Sequence, residues 1–228
     1  MKKLHYTGII AMSVDGKISQ HSHKPAHFTS SHDKAHLEQQ ISLCDGIIFG
    51  GSTLRAYSTT MTVKNPQWLA ERAKRGQPPQ PLNFVCSVSG KFDLNCRFFQ
   101  QPVSRILLTT TEGLTNCQKY VNNSAYFEEV MVSEKGGKEG INWLEITAKL
   151  AEKGLEKIAI LGGGELMASL WAENLIDDLW VTICPVILGG KDAPSSVGGR
   201  ALDLPLSLEL IEVKRIEQEL FLHYSNPK

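Results

Sequence analysis

The sequence predicts an α/β sandwich around a mixed, mainly parallel sheet. Three observations carry this. Apolar strand-like runs alternate with helix-like segments along most of the chain. Several of those runs end in glycine turns from which a helix starts at once, as in ILGGGELMASLW (160–171). The last stretch, SLELIEVKRIEQELFLHY, shows the two alternating segments of a β-hairpin.

The elements follow in order. The first strand runs from about Leu4 to Met12. Ser30 or Ser31 caps a helix that reaches about Leu43. GIIFGG (46–51) is a buried strand entering a glycine turn, with a helix from near Ser52 and Thr53. Asn65-Pro66 is a cap with proline at the first helical position, and Gly76 ends that helix. LNFVCS (82–87), Arg105 to Thr109 and Tyr126 to Val132 are strands. Asn142 to Lys153 is a helix with Leu144, Ala148 and Ala151 on one face and Gly154 as its stop. Lys157 to Leu161 is a strand, Leu166 to Trp171 lies in a helix, and Asp178 to Cys184 is a strand. The proline-rich QPPQP (77–81) is a surface loop, because the segments beside it are too short to be domains. A single domain over 1–228 is expected, and 228 residues suffice for a sizeable core.

Charge excludes some classes. Lys plus Arg and Asp plus Glu are 24 each, with no long basic run, so nothing favours nucleic-acid binding. MKKLHYTGIIAM mimics a signal peptide, but its apolar run is short, alternates with polar residues and ends in SVDGK; a strand is expected. No apolar run is long enough to span a bilayer. The five cysteines are widely spaced and form no CxxC, which suits a reducing cytoplasm.

The glycine turns carry the chemistry. Glycines after a strand allow close approach and positive φ, and the next helix offers unpaired N–H groups. Together these favour a phosphate. GxxxxGK[ST] and GxGxxG are both absent, so the turn alone reads equally as a tight corner. Glu165 suits the helix dipole but repels phosphate, so it caps the helix or points away. GGST (50–53) repeats the arrangement. CSVSGK (86–91) ends a strand with Ser87, Ser89 and Lys91, small hydroxyls beside a cation. Three such turns at strand ends suggest a dinucleotide across the carboxyl edge of the sheet. AMSVDGKIS (11–19) is either a turn with a solvated Lys17 or a loop over a ligand.

Other constellations point to packing. His21, His23, His27, His32 and His36 are dense, and His32 and His36 have metal-ligand spacing, but HExxH is absent and no cysteine is close. No metal is expected. Trp68 belongs to a helix face, and Trp171 and Trp180 to the core or a dimer surface. No GxSxG elbow supports a hydrolase, and Ser13 and Ser19 have no nucleophile role.

Taken in order, these motifs resemble the reductase family of riboflavin biosynthesis, the C-terminal reductase domain of the bifunctional deaminase-reductase, whose fold resembles dihydrofolate reductase. The family's A-x-S-x-DGK-I loop is matched by Ala11 to Ile18, and its D-(apolar)-G-x-x-T turn by Asp45 to Thr53. Its GG-x-L is matched by Gly163 to Leu166, L-(apolar)-DE-(apolar) by Leu175 to Leu179, and P-x-x-LGG by Pro185 to Gly190. The resemblance implies a three-layer sandwich and a homodimer. It also implies NADPH-dependent reduction of a phosphorylated ribosylaminopyrimidine, ribosyl to ribityl, on 5-amino-6-(5-phosphoribosylamino)uracil or its non-deaminated precursor. By position it puts Ala11 and Thr53 on the cofactor, and Ser87 and Ser89 near its 2′-phosphate; together with Lys91 these serines support NADPH over NADH. Gly162, Gly163, Gly164, Glu165 and Leu166 would hold the pyrophosphate. Asp15 becomes the expected ionisable group near the substrate, with Lys17 as its phosphate or proton partner. His27 falls where the family often places a ring near the nicotinamide.

The chain departs from the pattern. The HxE and PCxxC signatures of the zinc deaminase are absent. Leu161 stands where many members have glutamate, and Tyr57 about where aspartate is usual. Arg55, Arg72 and Arg75 are candidates for the substrate phosphate. Two alternatives stay open: a reductase of dihydrofolate or another pterin, and a nucleotide-binding homologue without catalysis, which Leu161 and Tyr57 favour.

Overall fold

The computed structural model describes residues 3–20, 25, 28–121, 126–134, 140–199, 201–202 and 204–228. His21, His23 and His27 lie outside them. The strands are β1 (His5–Ser13), β2 (Gly46–Gly50), β3 (Leu82–Cys86), β4 (Arg105–Thr110), β5 (Glu129–Ser133), β6 (Lys157–Ile160), β7 (Ile176–Cys184), β8 (Glu209–Ile216) and β9 (Glu219–Ser225). The helices are α1 (Ser31–Ser42), α2 (Gly51–Tyr57), α3 (Pro66–Lys74), α4 (Thr111–Val121), α5 (Trp143–Glu152) and α6 (Gly164–Ala172).

All nine strands join one sheet in the order β5-β4-β3-β2-β6-β1-β7-β9-β8. Every pairing from β5 to β7 is parallel. The C-terminal hairpin is antiparallel to β7 and within itself. Parallel strands covered on both faces read as continuous apolar runs, and GIIFG in β2 is buried at all five positions.

Side chains alternate between two cores. On one face Tyr6, Ile48, Phe84 and Ile160 meet Trp143, Ile146 and Leu150 of α5 and Met167 and Leu170 of α6. On the other, Ile9, Ile47, Phe49 and Val85 meet Ile41 of α1, Leu54 of α2 and Cys117 of α4. This is a three-layer sandwich. The caps are local chemistry. The Ser30 side chain accepts from the N–H groups of His32 and Asp33, Asn65 from Gln67, and Asn142 from Glu145.

Four expectations need correction. The helix α4, interrupted by Gly113, and the short 3-10 turn Arg97–Gln100 went unread. Gly113 sits inside α4 because an ideal Cβ there would lie 2.4 Å from the carbonyl oxygen of Val88; close packing overrides propensity. The strand expected from Tyr126 starts at Glu129. The buried face of α5 is Trp143, Ile146 and Leu150, while Leu144 is 60% exposed. Trp171 is core, and Trp180 stacks on His223 with ring centres 4.3 Å apart. Among the described residues no helix is long and apolar enough to cross a membrane. All five cysteines are free.

Candidate active site

Because β2 pairs with β6 in parallel, with Ile48 level with Ile160, the two glycine turns that follow them emerge side by side. An ideal Cβ on Gly163 would lie 3.4 Å from Thr53 Oγ1 and 3.8 Å from Ser52 Oγ. A cavity of about 900 Å³ opens here, at the carboxyl edge of the sheet. The order in which successive strands are added reverses around β6: β2 leads away through β3 to β5, and β6 leads across β1 to β7. Ligands of open α/β sheets bind in such a crevice.

The turn into α6 needs glycine. Gly162 and Gly163 have φ of 94° and 91°. The helix begins with a bond from Met167 N–H to Gly163 O at 3.0 Å. The N–H groups of Gly164, Glu165 and Leu166 therefore precede the ladder and offer donors to an anion. Gly162, Gly163, Gly164 and Glu165 line the cavity together with Ala11 and Thr53. Glu165 is exposed. The Leu166 side chain is buried in the core beneath, so only its backbone is at hand. Gly198 N–H donates to Gly164 O at 2.9 Å, laying segment 195–198 over the helix start.

Ser87 follows β3, beside the start of α2. Its Oγ would lie 3.2 Å from an ideal Cβ on Gly51 and accepts from Gly90 N–H. Ser89 and Lys91 are exposed further along the same edge, outside the cavity wall. Asn116 Nδ2 donates to Ser89 O.

Asp15 and Lys17 also stand outside that wall. Asp15 accepts from Ser13 Oγ at 2.7 Å, Leu188 N–H at 3.1 Å and Gly189 N–H at 2.8 Å. The Ser13 hydroxyl and these backbone donors hold its carboxyl down to about 2. It is a carboxylate at neutral pH, with no proton to give. Lys17 Nζ donates to Ala193 O at 3.3 Å. The DGK and LGG motifs are thus one clasp at the cavity's rim.

The arginine candidates do other work. Arg72 is fully buried, and its guanidinium donates to the carbonyls of Pro78, Ser42 and Cys44. Arg75 donates to Ser42 O. Both tie down the chain between α1 and the start of β2, at the opposite edge of the sheet. Arg55 is exposed and does not line the cavity. Among the described residues, Lys34 and Lys191 are the cations that do. Tyr57 and Leu161 both line it.

Sequence reasoning also missed Asp33, which lines the cavity at 8% exposure. Its signal was only a carboxylate in the first turn after Ser30. Burial, helped by the neighbouring Glu219, pushes its carboxyl above the usual range despite hydrogen bonds from Thr182 and Thr29. His32 and His36 have separate surroundings. His32 lies 3.4 Å from Glu217, and His36 packs edge-on to Trp180 and Phe221. Burial pushes His36 down to about 4. Among the described residues no three ligands cluster for a metal.

Known proteins resemble this chain over most of its length. The 2,5-diamino-6-ribosylamino-4(3H)-pyrimidinone 5′-phosphate reductase of Archaeoglobus fulgidus is 28% identical over 205 residues, 89% of this chain and 90% of that protein. The riboflavin biosynthesis protein RibD of Actinobacillus pleuropneumoniae is 23% identical over 94% of this chain, which spans only 54% of that protein. Among solved structures, a pyrimidine reductase-like protein from Corynebacterium diphtheriae superposes with a TM-score of 0.84 at 21% identity, covering 99% of this chain and 92% of that one. Dihydrofolate reductase from Enterococcus faecalis, complexed with NADP(H), gives 0.53 at 13% identity over 98% and 97%. At those identities the likeness is one of fold. The family model of the RibD C-terminal domain matches residues 7–222, and the chain belongs to that family.

Proposed function

We propose that this chain is an NADPH-dependent reductase of riboflavin biosynthesis. It reduces the ribosyl group of 5-amino-6-(5-phosphoribosylamino)uracil, or of its non-deaminated precursor, to ribityl. The observation that carries this is the pair of glycine turns meeting at one cavity, with the α6 N–H groups facing it. The A. fulgidus relative, named for reduction of such a pyrimidinone phosphate, supports the substrate class.

In this reading Gly162 to Leu166 hold the pyrophosphate through backbone N–H groups, and Ala11 and Thr53 flank the cofactor. Ser87, Ser89 and Lys91 take the 2′-phosphate end. NADPH, when bound, supplies the hydride; the protein supplies orientation and exclusion of water. Lys34 and Lys191 hold the substrate phosphate, the role first sought among the arginines. Asp15 positions the rim, and Lys17 pins segment 191–195 through Ala193. The exposed apolar side chains of β8, an edge strand with Leu210, Ile211 and Val213 each more than half exposed, support a homodimer. Five free thiols support a cytoplasmic setting.

The test follows NADPH absorbance with each of the two pyrimidines, and with dihydrofolate in a parallel cell. Oxidation with a pyrimidine alone is expected. Oxidation with dihydrofolate alone would move the protein to pterin reduction. Silence in every cell, with NADPH still bound, would make it a binding homologue.

A further inference from the structure

Three carboxyl groups among the described residues line the cavity: Asp33, Glu165 and Asp192. Glu165 and Asp192 are exposed, while Asp33 is buried. Asp33 sits in the first turn of α1, and the hydroxyls of Thr182 on β7 and Thr29 bond its carboxyl. The charged and titratable groups around it are few. Glu219 on β9 is 5% exposed, and Ser30 donates to its carboxylate from both N–H and Oγ. Cys184 on β7 also bonds Glu219, and its thiol, pushed up to about 12, stays neutral. Lys34, next along α1, is the nearby cation. Two carboxyls buried side by side do not both ionise readily. Burial first, and Glu219 beside it, therefore favour the protonated form of Asp33, in the cavity wall.

We propose that Asp33 is the proton donor of the reduction. This rests on the reductase reading above. The acceptor is the ring-opened imine joining the pyrimidine to C1 of the sugar. Hydride adds to C1 with its electron pair, and the C=N π pair takes a proton at nitrogen. The Asp33 O–H bond breaks as the new N–H bond forms. The products are the secondary amine, the oxidised cofactor and the Asp33 carboxylate, which water reprotonates.

The experiment measures kcat against pH for the wild type, Asp33→Asn and Glu219→Gln, with NADPH binding by fluorescence. An acid must hold its proton to act, so wild-type kcat falls as pH rises through the Asp33 pKa. Asp33→Asn lowers kcat about 100-fold or more, removes that limb and leaves NADPH binding unchanged. Glu219→Gln keeps the acid but removes its charged neighbour, and so moves the limb to lower pH. Wild-type turnover with unimpaired Asp33→Asn would overturn the assignment of Asp33 alone. No wild-type turnover on either pyrimidine would overturn the reductase reading and this assignment with it. If Asp33→Asn does not fold, the Glu219→Gln limb decides: a limb left in place overturns the proposal.

Discussion

Gly198 donates its N–H to the carbonyl of Gly164 at 2.9 Å, and the space between them admits no side chain. An ideal Cβ on Gly164 would stand 2.5 Å from Ser195 O and 3.0 Å from Gly198 N. Both obstacles are backbone. Gly164→Ala is expected to push segment 195–198 off the helix start, at about 1–3 kcal/mol for the overpacking. NADPH titration by fluorescence checks this, with affinity falling by about tenfold or more.

Gly162 differs from Gly164. An added Cβ would meet nothing within 4 Å, so its φ of 94° is the whole constraint. Gly162→Ala is expected to cost about 1–2 kcal/mol, all of it backbone strain. Urea denaturation checks it. Gly76, with φ 70° and equally open space, is the control for a turn remote from the cavity.

Asp15 links pH to the clasp. Its carboxyl, at about 2 in the fold, lies below its ordinary 3.8. A depressed carboxylate stabilises the fold above the ordinary value, and the contribution fades as pH falls through the folded one. The stability gap between wild type and Asp15→Asn is therefore expected to close between about pH 3.8 and 2. Thermal melts across that window check this. At neutral pH Asp15→Asn is expected to retain turnover, because the ionised Asp15 holds the rim and has no proton to give.

Cations at the two edges of the sheet separate cleanly. Lys34→Ala and Lys191→Ala are each expected to raise KM for the phosphorylated substrate about tenfold, the loss of one charge-assisted contact, with stability unchanged. Arg72→Ala is expected to cost roughly 2–4 kcal/mol, because it strands the carbonyls of Ser42, Cys44 and Pro78. Steady-state kinetics and denaturation together distinguish the two classes.

Much of this was legible. Strand β2 showed itself because a parallel strand covered on both faces must be apolar throughout. The α1 and α3 caps showed because Ser30 and Asn65-Pro66 act within a few residues. The glycines before α6 were legible because φ near +90° excludes other residues. What stayed hidden depends on distance in space. Nothing near Gly113 announces that Val88 will press on it. Asp33 looks like any first-turn carboxylate until Glu219, from the last strand, is laid beside it. Arg72 looks like a surface cation until it is seen closing the end of α1. Nothing around Asp15 announces that Leu188 and Gly189, far along the chain, will bond its carboxylate.

The place of β6 has a consequence for assembly. It lies between β1 and β2, yet it is made long after both. Until residues 157–164 slot into that gap, the sheet is split and neither glycine turn has its neighbour. Pairing of this one four-residue strand therefore joins the two halves of the sheet and brings the two glycine turns together. Pairing so distant in sequence is slow. If NADPH is the cofactor, as proposed, it binds only the finished sheet, and in refolding its binding is expected to appear together with the last, slow phase.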